Sequence, residues 1–212
     1  MYVSVTVKEK YQYETNEWLG VDLGINNIAT DSERERFSGA QTDRIRRKRT
    51  TARKQHQRKG TKKAKRKLKR MSGRQSRFQK QTNHYISKQL VKKAKALGKG
   101  IALEDLHFER DLSKVTVRRS KAFRRRHGNW SFAHLRFCIE YKAKRAGVPV
   151  KILNPAYSSC TCLECGCQDK RNRKGDTFKC ILCDHTDHAD IHAALTLSAW
   201  AENNPASKVA TS

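Results

Sequence analysis

The stretch Trp18–Gly24, WLGVDLG, carries no polar side chain until Asp22. An unbroken apolar run of this length reads as a strand covered on both faces, since a half-exposed strand would alternate apolar with polar residues. Ile28–Thr30 follows as its hairpin partner, and Val3, Val5 and Val7 alternate like a strand ahead of the turn-like YETNE at 13–17. A second apolar strand, IALED at 101–105, also ends in acid, at Glu104, and VPVKIL at 148–153 reads as a further strand. Acids at strand ends are where a parallel or mixed sheet presents functional side chains. ADIHAA at 189–194 then places Asp190 at the opening of a C-terminal helix.

Around these segments the chain is very basic. The formal charge is +27, from 47 Lys+Arg against 20 Asp+Glu, with a pI near 10.2. Between Asp43 and Glu104 there is no acidic residue, and 24 of the 47 Lys+Arg fall in that gap. Such self-repulsion is tolerated where a polyanion neutralises it, and nucleic acid is the polyanion expected. A membrane surface would call for an amphipathic helix with a broad apolar face, which the basic stretches lack. No segment approaches the run of about 20 apolar residues needed to span a bilayer, and the N-terminus has no signal-peptide pattern. A cytoplasmic, nucleoid-associated protein without a membrane partner is expected.

The first part of the basic segment, 44–70, has good helix formers and few apolar positions, and Gly60 interrupts it, which predicts an arm or helical hairpin. Next, Met71, Phe78 and Tyr85 recur every seven residues, with Ile86, Leu90, Ala94 and Leu97 at helical spacing. That pattern predicts a helix packed on a sheet and stopped by Gly98 and Gly100. Residues 107–127 read as a basic surface loop or irregular helix. A helix capped by Asn129 or Ser131 follows, with Phe132, Leu135, Ile139, Ala143 and Ala146 on one face and Gly147 as its stop. The backbone contacts to nucleic acid are assigned to Arg46, Arg47, Lys48, Arg49, Arg53, Lys54, Lys62, Lys63, Lys65, Arg66, Lys67, Lys69, Arg70, Arg124, Arg125 and Arg126. Such groups position a strand and do not read bases.

Six of the seven cysteines cluster between Cys160 and Cys183, and in a reducing compartment clustering points to metal. Cys162, Cys165, Cys180 and Cys183 form two CxxC pairs, and four thiolates satisfy one tetrahedral, structural Zn²⁺. Cys160, Cys167, His185 and His188 are close enough in sequence to replace a ligand. Cys138, on a predicted helix, reads as a small buried apolar residue.

Each acid taken singly has an ordinary explanation: a turn for Asp22, an ion pair for Glu104, a helix cap for Asp190. Their order says more. A strand-borne Asp, then a strand-borne Glu, then an Asp opening a C-terminal helix is the arrangement of an RNase H-like nuclease of the RuvC type. GVDLGINNIAT, IALEDL, the paired CxxC ribbon and DIHAA together resemble the TnpB/OrfB family, RNA-guided nucleases of insertion sequences related to type V CRISPR effectors. The basic helical stretch and GNWSFAHLRFCIEYKA also occur in the family's order. The resemblance implies that Asp22, Glu104 and Asp190 are catalytic and hold two Mg²⁺ or Mn²⁺ ions. It implies that the four cysteines bind zinc in an insertion before the last acid, and that the partners are DNA and a guide RNA from the transposon end.

The expected fold is α/β, a mixed RNase H-like sheet with a basic helical insertion and a small zinc ribbon. The core is expected over 1–157 with its basic segment at 42–98, the ribbon over 158–188, the last helix over 189–202, and a disordered tail over 203–212. Two departures stand out. His192 occupies the position where family members usually have Asn, and only a strand or two precede GVDLG, where full-length members carry a region that helps bind guide RNA and read the target. The rival expectations are a truncated remnant that binds nucleic acid without cutting it, and a ribosome-associated zinc-ribbon protein. The latter gives the acids no role.

Overall fold

The computed structural model describes residues 12–105, 132–154 and 156–203. Five strands form the main sheet: β1 (Trp18–Asp22), β2 (Asn27–Asp31), β3 (Arg36–Ser38), β4 (Gly100–Glu104) and β5 (Val150–Leu153), in the order β3-β2-β1-β4-β5. β2 is antiparallel to β1 and β3 to β2, whereas β4 runs parallel to β1 and β5 parallel to β4. The sheet is therefore mixed, as expected, and its central strands are the acid-tipped ones.

Helices cover both faces. They are α1 (Ala40–Lys59), α2 (Lys62–Leu97), α3 (Phe132–Ala146) and α4 (Ala189–Asn203). On one face Leu19, Val21, Ile101 and Leu103 pack with Ile86, Leu90, Val91 and Ala94 of α2 and Leu135, Ile139 and Ala143 of α3. On the other, Trp18, Ala102 and Leu153 meet Leu197 and Ala201 of α4. Burial on both sides is why β1 and β4 are apolar up to their terminal acids. α4 lies so close to β1 that a Cβ on Gly20 would stand 1.9 Å from the carbonyl oxygen of Ala194.

The basic segment forms the predicted hairpin, with its break at Gly60, whose φ of 63° closes α1 in the left-handed conformation that glycine adopts without strain. Thr61 caps α2, its Oγ1 accepting from the Ala64 amide at 3.2 Å. α1 buries no residue. The heptad reading of α2 needs correction. Tyr85 and Leu97 are exposed, Met71 and Phe78 only half-buried, and the packed face is Asn83, Ile86, Ser87, Leu90, Val91 and Ala94. Phe78 is covered by Arg49 of α1, whose guanidinium lies 5.8 Å from the ring centre. α3 and its stop at Gly147, with φ 76°, lie where expected.

The short strands β6 (Arg173–Lys174), β7 (Thr177–Lys179) and β8 (Thr186–His188) make a separate antiparallel sheet, and β8 leads into α4 with no linker. α4 includes Asn203, one residue beyond the expected end. The N-terminal valines, the caps Asn129 and Ser131, the 107–127 segment with Arg124, Arg125 and Arg126, and the tail from 204 onward lie outside the described residues. No described helix is long and apolar enough to cross a membrane.

Candidate acidic site and cysteine centre

Val21 of β1 pairs with Leu103 of β4, so one step further along two parallel strands Asp22 stands beside Glu104. Adjacent strands run about 4.8 Å apart. Side chains alternate, so Asp22 falls on the face of Trp18 and Gly20, and Glu104 on the face of Ala102. That is the face α4 covers. α4 runs antiparallel to β1: Ser198 donates to the Trp18 carbonyl at 2.5 Å, and Ala194 overlies Gly20. Its first turn, with Asp190, therefore sits at the level where β1 and β4 end. Glu104 and Asp190 are 9% and 5% exposed and Asp22 is half-buried. A carboxylate in a helix's first turn is also favoured by the helix dipole.

Both oxygens of Asp190 are engaged. Asn27 Nδ2 donates to one and Arg173 Nη2 to the other, each at 3.0 Å. The Asp190 amide in turn donates to His188 Nδ1 at 3.3 Å. Beside this point opens a cavity of about 660 Å³ lined by Asn27, Arg36, Arg44, Arg47, Lys48 and His188, with Asp43 and Asp176 also on its wall. The cations outnumber the acids there, so the cavity suits a phosphate chain entering next to Asp190. Of the predicted basic residues, Arg47 and Lys48 line it, and Arg53, Lys54, Lys62, Lys63, Lys65, Arg66, Lys67, Lys69 and Arg70 are exposed along the hairpin. Arg46 is half-buried and pairs with Asp43 at 3.3 Å, and Arg49 is committed to Phe78.

Asn27, Arg173 and Arg36 were not singled out from sequence. The signal for Asn27 was its place just after the acid-tipped strand; Arg173 and Arg36 sit among many other basic residues and had none.

The cysteines meet as two close pairs, Cys162 with Cys183 at 3.6 Å and Cys165 with Cys180 at 3.5 Å, and all four sulfurs lie within 4.8 Å of one another. Sulfurs about 2.3 Å from one zinc form a tetrahedron with edges of roughly 3.8 Å, so the set fits that ion. Cys160, Cys167, His185 and His188 are not in this group. Backbone amides of Cys183 and Leu182 draw the Cys180 thiol down to about 6, whereas, despite the Cys167 amide, burial and the neighbouring sulfurs push Cys165 up to about 12. Asn172, 1% exposed, braces the knuckles: its Nδ2 donates to the carbonyls of Cys160 and Cys167 and its Oδ1 accepts from Ile181.

His192 faces the cysteine module. Its ring stacks on Phe178 with centroids 3.6 Å apart, and Nε2 donates to the Thr161 carbonyl at 2.8 Å. Burial holds its pKa below the ordinary histidine value. His192 thus roots α4 in the module that precedes it.

A family model described as a probable transposase, OrfB_IS605, matches residues 2–115, and one described as the Cas12f1-like TNB domain matches 132–197. The chain is 35% identical over 130 residues to TnpB-like protein MJ0751 of Methanocaldococcus jannaschii, covering 61% of this chain and 45% of that one. It is 36% identical over 123 residues to a CRISPR-associated endodeoxyribonuclease Cas12f1 of Sulfoacidibacillus thermotolerans, covering 57% and 27%. Among solved structures, a Cas12f1–sgRNA–target DNA complex aligns with TM-score 0.67 at 20% identity, covering 92% of this chain and 52% of that one, a likeness of fold. The chain spans less than half the length of these two sequence relatives. Because the transposase family model runs through more than half of its residues, the chain belongs to the OrfB/TnpB family.

Proposed function

We propose that the chain is a divalent-metal-dependent DNA endonuclease with an RNase H-like, RuvC-type core, directed to its target by an RNA. The observation that carries this is the placement of three carboxylates at one end of the sheet: Asp22 and Glu104 on adjoining strands and Asp190 on the helix crossing them. The strand order, with β1, β2 and β3 as an antiparallel meander and β4 and β5 parallel to β1, is the one an RNase H-like core calls for. The names of the relatives support the substrate: one is an endodeoxyribonuclease, and the solved complex contains both an RNA and a target DNA.

Carboxylate oxygens suit hard cations such as Mg²⁺ and Mn²⁺. Bound there as a pair, such ions would supply water activation and leaving-oxygen stabilisation. Asp22, Glu104 and Asp190 would hold them, and Asn27 orients the Asp190 carboxylate. Among the described residues, the three groups that bring ligand atoms within 4.8 Å of one another contain none of these acids. Asn27 and Arg173 hold the Asp190 carboxylate in this arrangement, and cations would draw the three acids together. Arg36, Arg44, Arg47 and Lys48 would hold the phosphates of the strand beside them. Zinc in the four-cysteine site would be structural, fixing 158–188 as a ribbon and, through β8, the start of α4.

The test is a magnesium-supplemented cleavage assay with whatever RNA copurifies from the native host. Cutting is expected, and Asp22→Ala, with unchanged circular dichroism, should abolish it. Cutting retained in that variant would remove the assignment. Salt-sensitive binding without metal-dependent product would identify instead a non-cleaving nucleic-acid-binding module.

A further inference from the structure

Away from the acids and the four cysteines, His84 of α2 meets His134 and Cys138 of α3. Cys138 Sγ lies 3.8 Å from His84 Nδ1 and 3.7 Å from His134 Nδ1. All three ligand atoms fall within 4.8 Å of one another. A thiolate sulfur about 2.3 Å and imidazole nitrogens about 2.0–2.1 Å from one tetrahedral zinc stand roughly 3.5 Å apart, so the two sulfur–nitrogen distances need to contract by only a few tenths of an ångström. His134 and Cys138 are four residues apart on one helix, which puts them on the same face, and His84 is presented by the helix packed against it. We propose that His84, His134 and Cys138 form a second transition-metal site, of the His₂Cys type, that pins α2 to α3.

Asn83 Nδ2, 3.1 Å from His134 Nδ1, can only donate. That bond uses the single in-plane lone pair of Nδ1, so an ion displaces Asn83 there or takes Nε2, which lies 3.9 Å from Cys138 Sγ. Tyr141 Oη, 3.2 Å from His84 Nδ1, is near enough to complete a fourth position, as is solvent. His84 is exposed while Cys138 is fully buried, which gives an ion entry from one side and a dry wall on the other. One soft sulfur and two imidazoles select zinc, cobalt or monovalent copper over magnesium, so this site would not compete for the ions of the carboxylates. Lys142, bonded to the His84 carbonyl at 2.5 Å and to Ser87 Oγ at 2.6 Å, stands beside it and would favour a net anionic ligand set.

The experiment is a cobalt titration of the full chain preloaded with one equivalent of zinc to fill the four-cysteine site. A second equivalent of metal should bind and give visible d–d bands with a near-ultraviolet thiolate-to-cobalt band. Cys138→Ser should lose the thiolate band, and His84→Ala, an exposed position whose removal leaves the fold intact by circular dichroism, should weaken binding by about tenfold or more. Absence of cobalt bands in the zinc-loaded wild type, or bands of equal intensity and affinity in His84→Ala, overturns the proposal. None of these readouts depends on nuclease activity.

Discussion

Gly20 lies where the backbone of α4 crosses β1, and the overlap of a Cβ with the Ala194 carbonyl is with main chain, which cannot rotate away. Gly20→Ala is expected to destabilise the protein by about 3 kcal/mol, the upper part of the overpacking range, measured as a lowered urea midpoint. Arg173 poses a different question, because its bond to Asp190 occupies an oxygen that a metal would use. Arg173→Ala should reduce the Mg²⁺ concentration for half-maximal cleavage by about fivefold, the equivalent of about 1 kcal/mol for one hydrogen bond. A higher Mg²⁺ requirement would instead show that Arg173 holds the carboxylate ready for the ion. The three acids and the four cysteines stand out in the sequence because strand ends, a helix start and paired CxxC spacing mark them. Asn27, Asn172 and Arg173 could not: an amide or guanidinium gains its role from what lies opposite it, and those partners are up to 163 residues away.

Among the elements, the module of β6, β7 and β8 is too small to bury a core of its own. Its buried apolar residues are Cys162, Phe178, Cys180 and Ala189, with Cys167 packed against them. Structural zinc contributes on the order of 10 kcal/mol to such units. Chelation should therefore remove hydrogen-exchange protection from β7 and β8 while leaving β1 and β4 protected, and cleavage should be lost together with that order because Asp190 lies two residues beyond the end of β8. Protection unchanged by chelation would show that the stack of His192 on Phe178 suffices without metal. The long apolar strands and the helix of Phe132–Ala146 were readable from their periods. β3 was not, since its three residues, RFS, form too short a run to show one. The seven-residue spacing in α2 misled because Met71 and Phe78 lie along the part of the helix that pairs with α1 and not the sheet, while the buried stripe includes Asn83 and Ser87, which a hydrophobic pattern omits.

For the whole molecule, the governing quantity is the charge of +27, concentrated on α1 and α2. Lys62, Lys63 and Lys65 crowd the first turn of α2, and no acidic residue stands there to offset the helix dipole. Phosphate would supply that offset, and binding should be steeply salt-dependent. Each exposed cation that meets a phosphate adds about 0.9 to the slope of log K against log salt for duplex DNA. Replacing Arg47, Lys48 and Arg53 with alanine should flatten that slope by up to about 2.7 without altering the melting temperature, since none of the three is buried. An unchanged slope would place the nucleic acid on another surface. α2 has 36 residues, so it is about 54 Å long at 1.5 Å per residue. Only its second half sits over the sheet, and from Lys62 to Thr82 just Ala64 is buried. That leaves a cationic rail of about 30 Å, nearly the length of one full turn of duplex. A strand following it would pass about nine nucleotide steps at 3.4 Å each, enough to hold a double helix in a fixed rotational setting before any of its bonds came near the carboxylates.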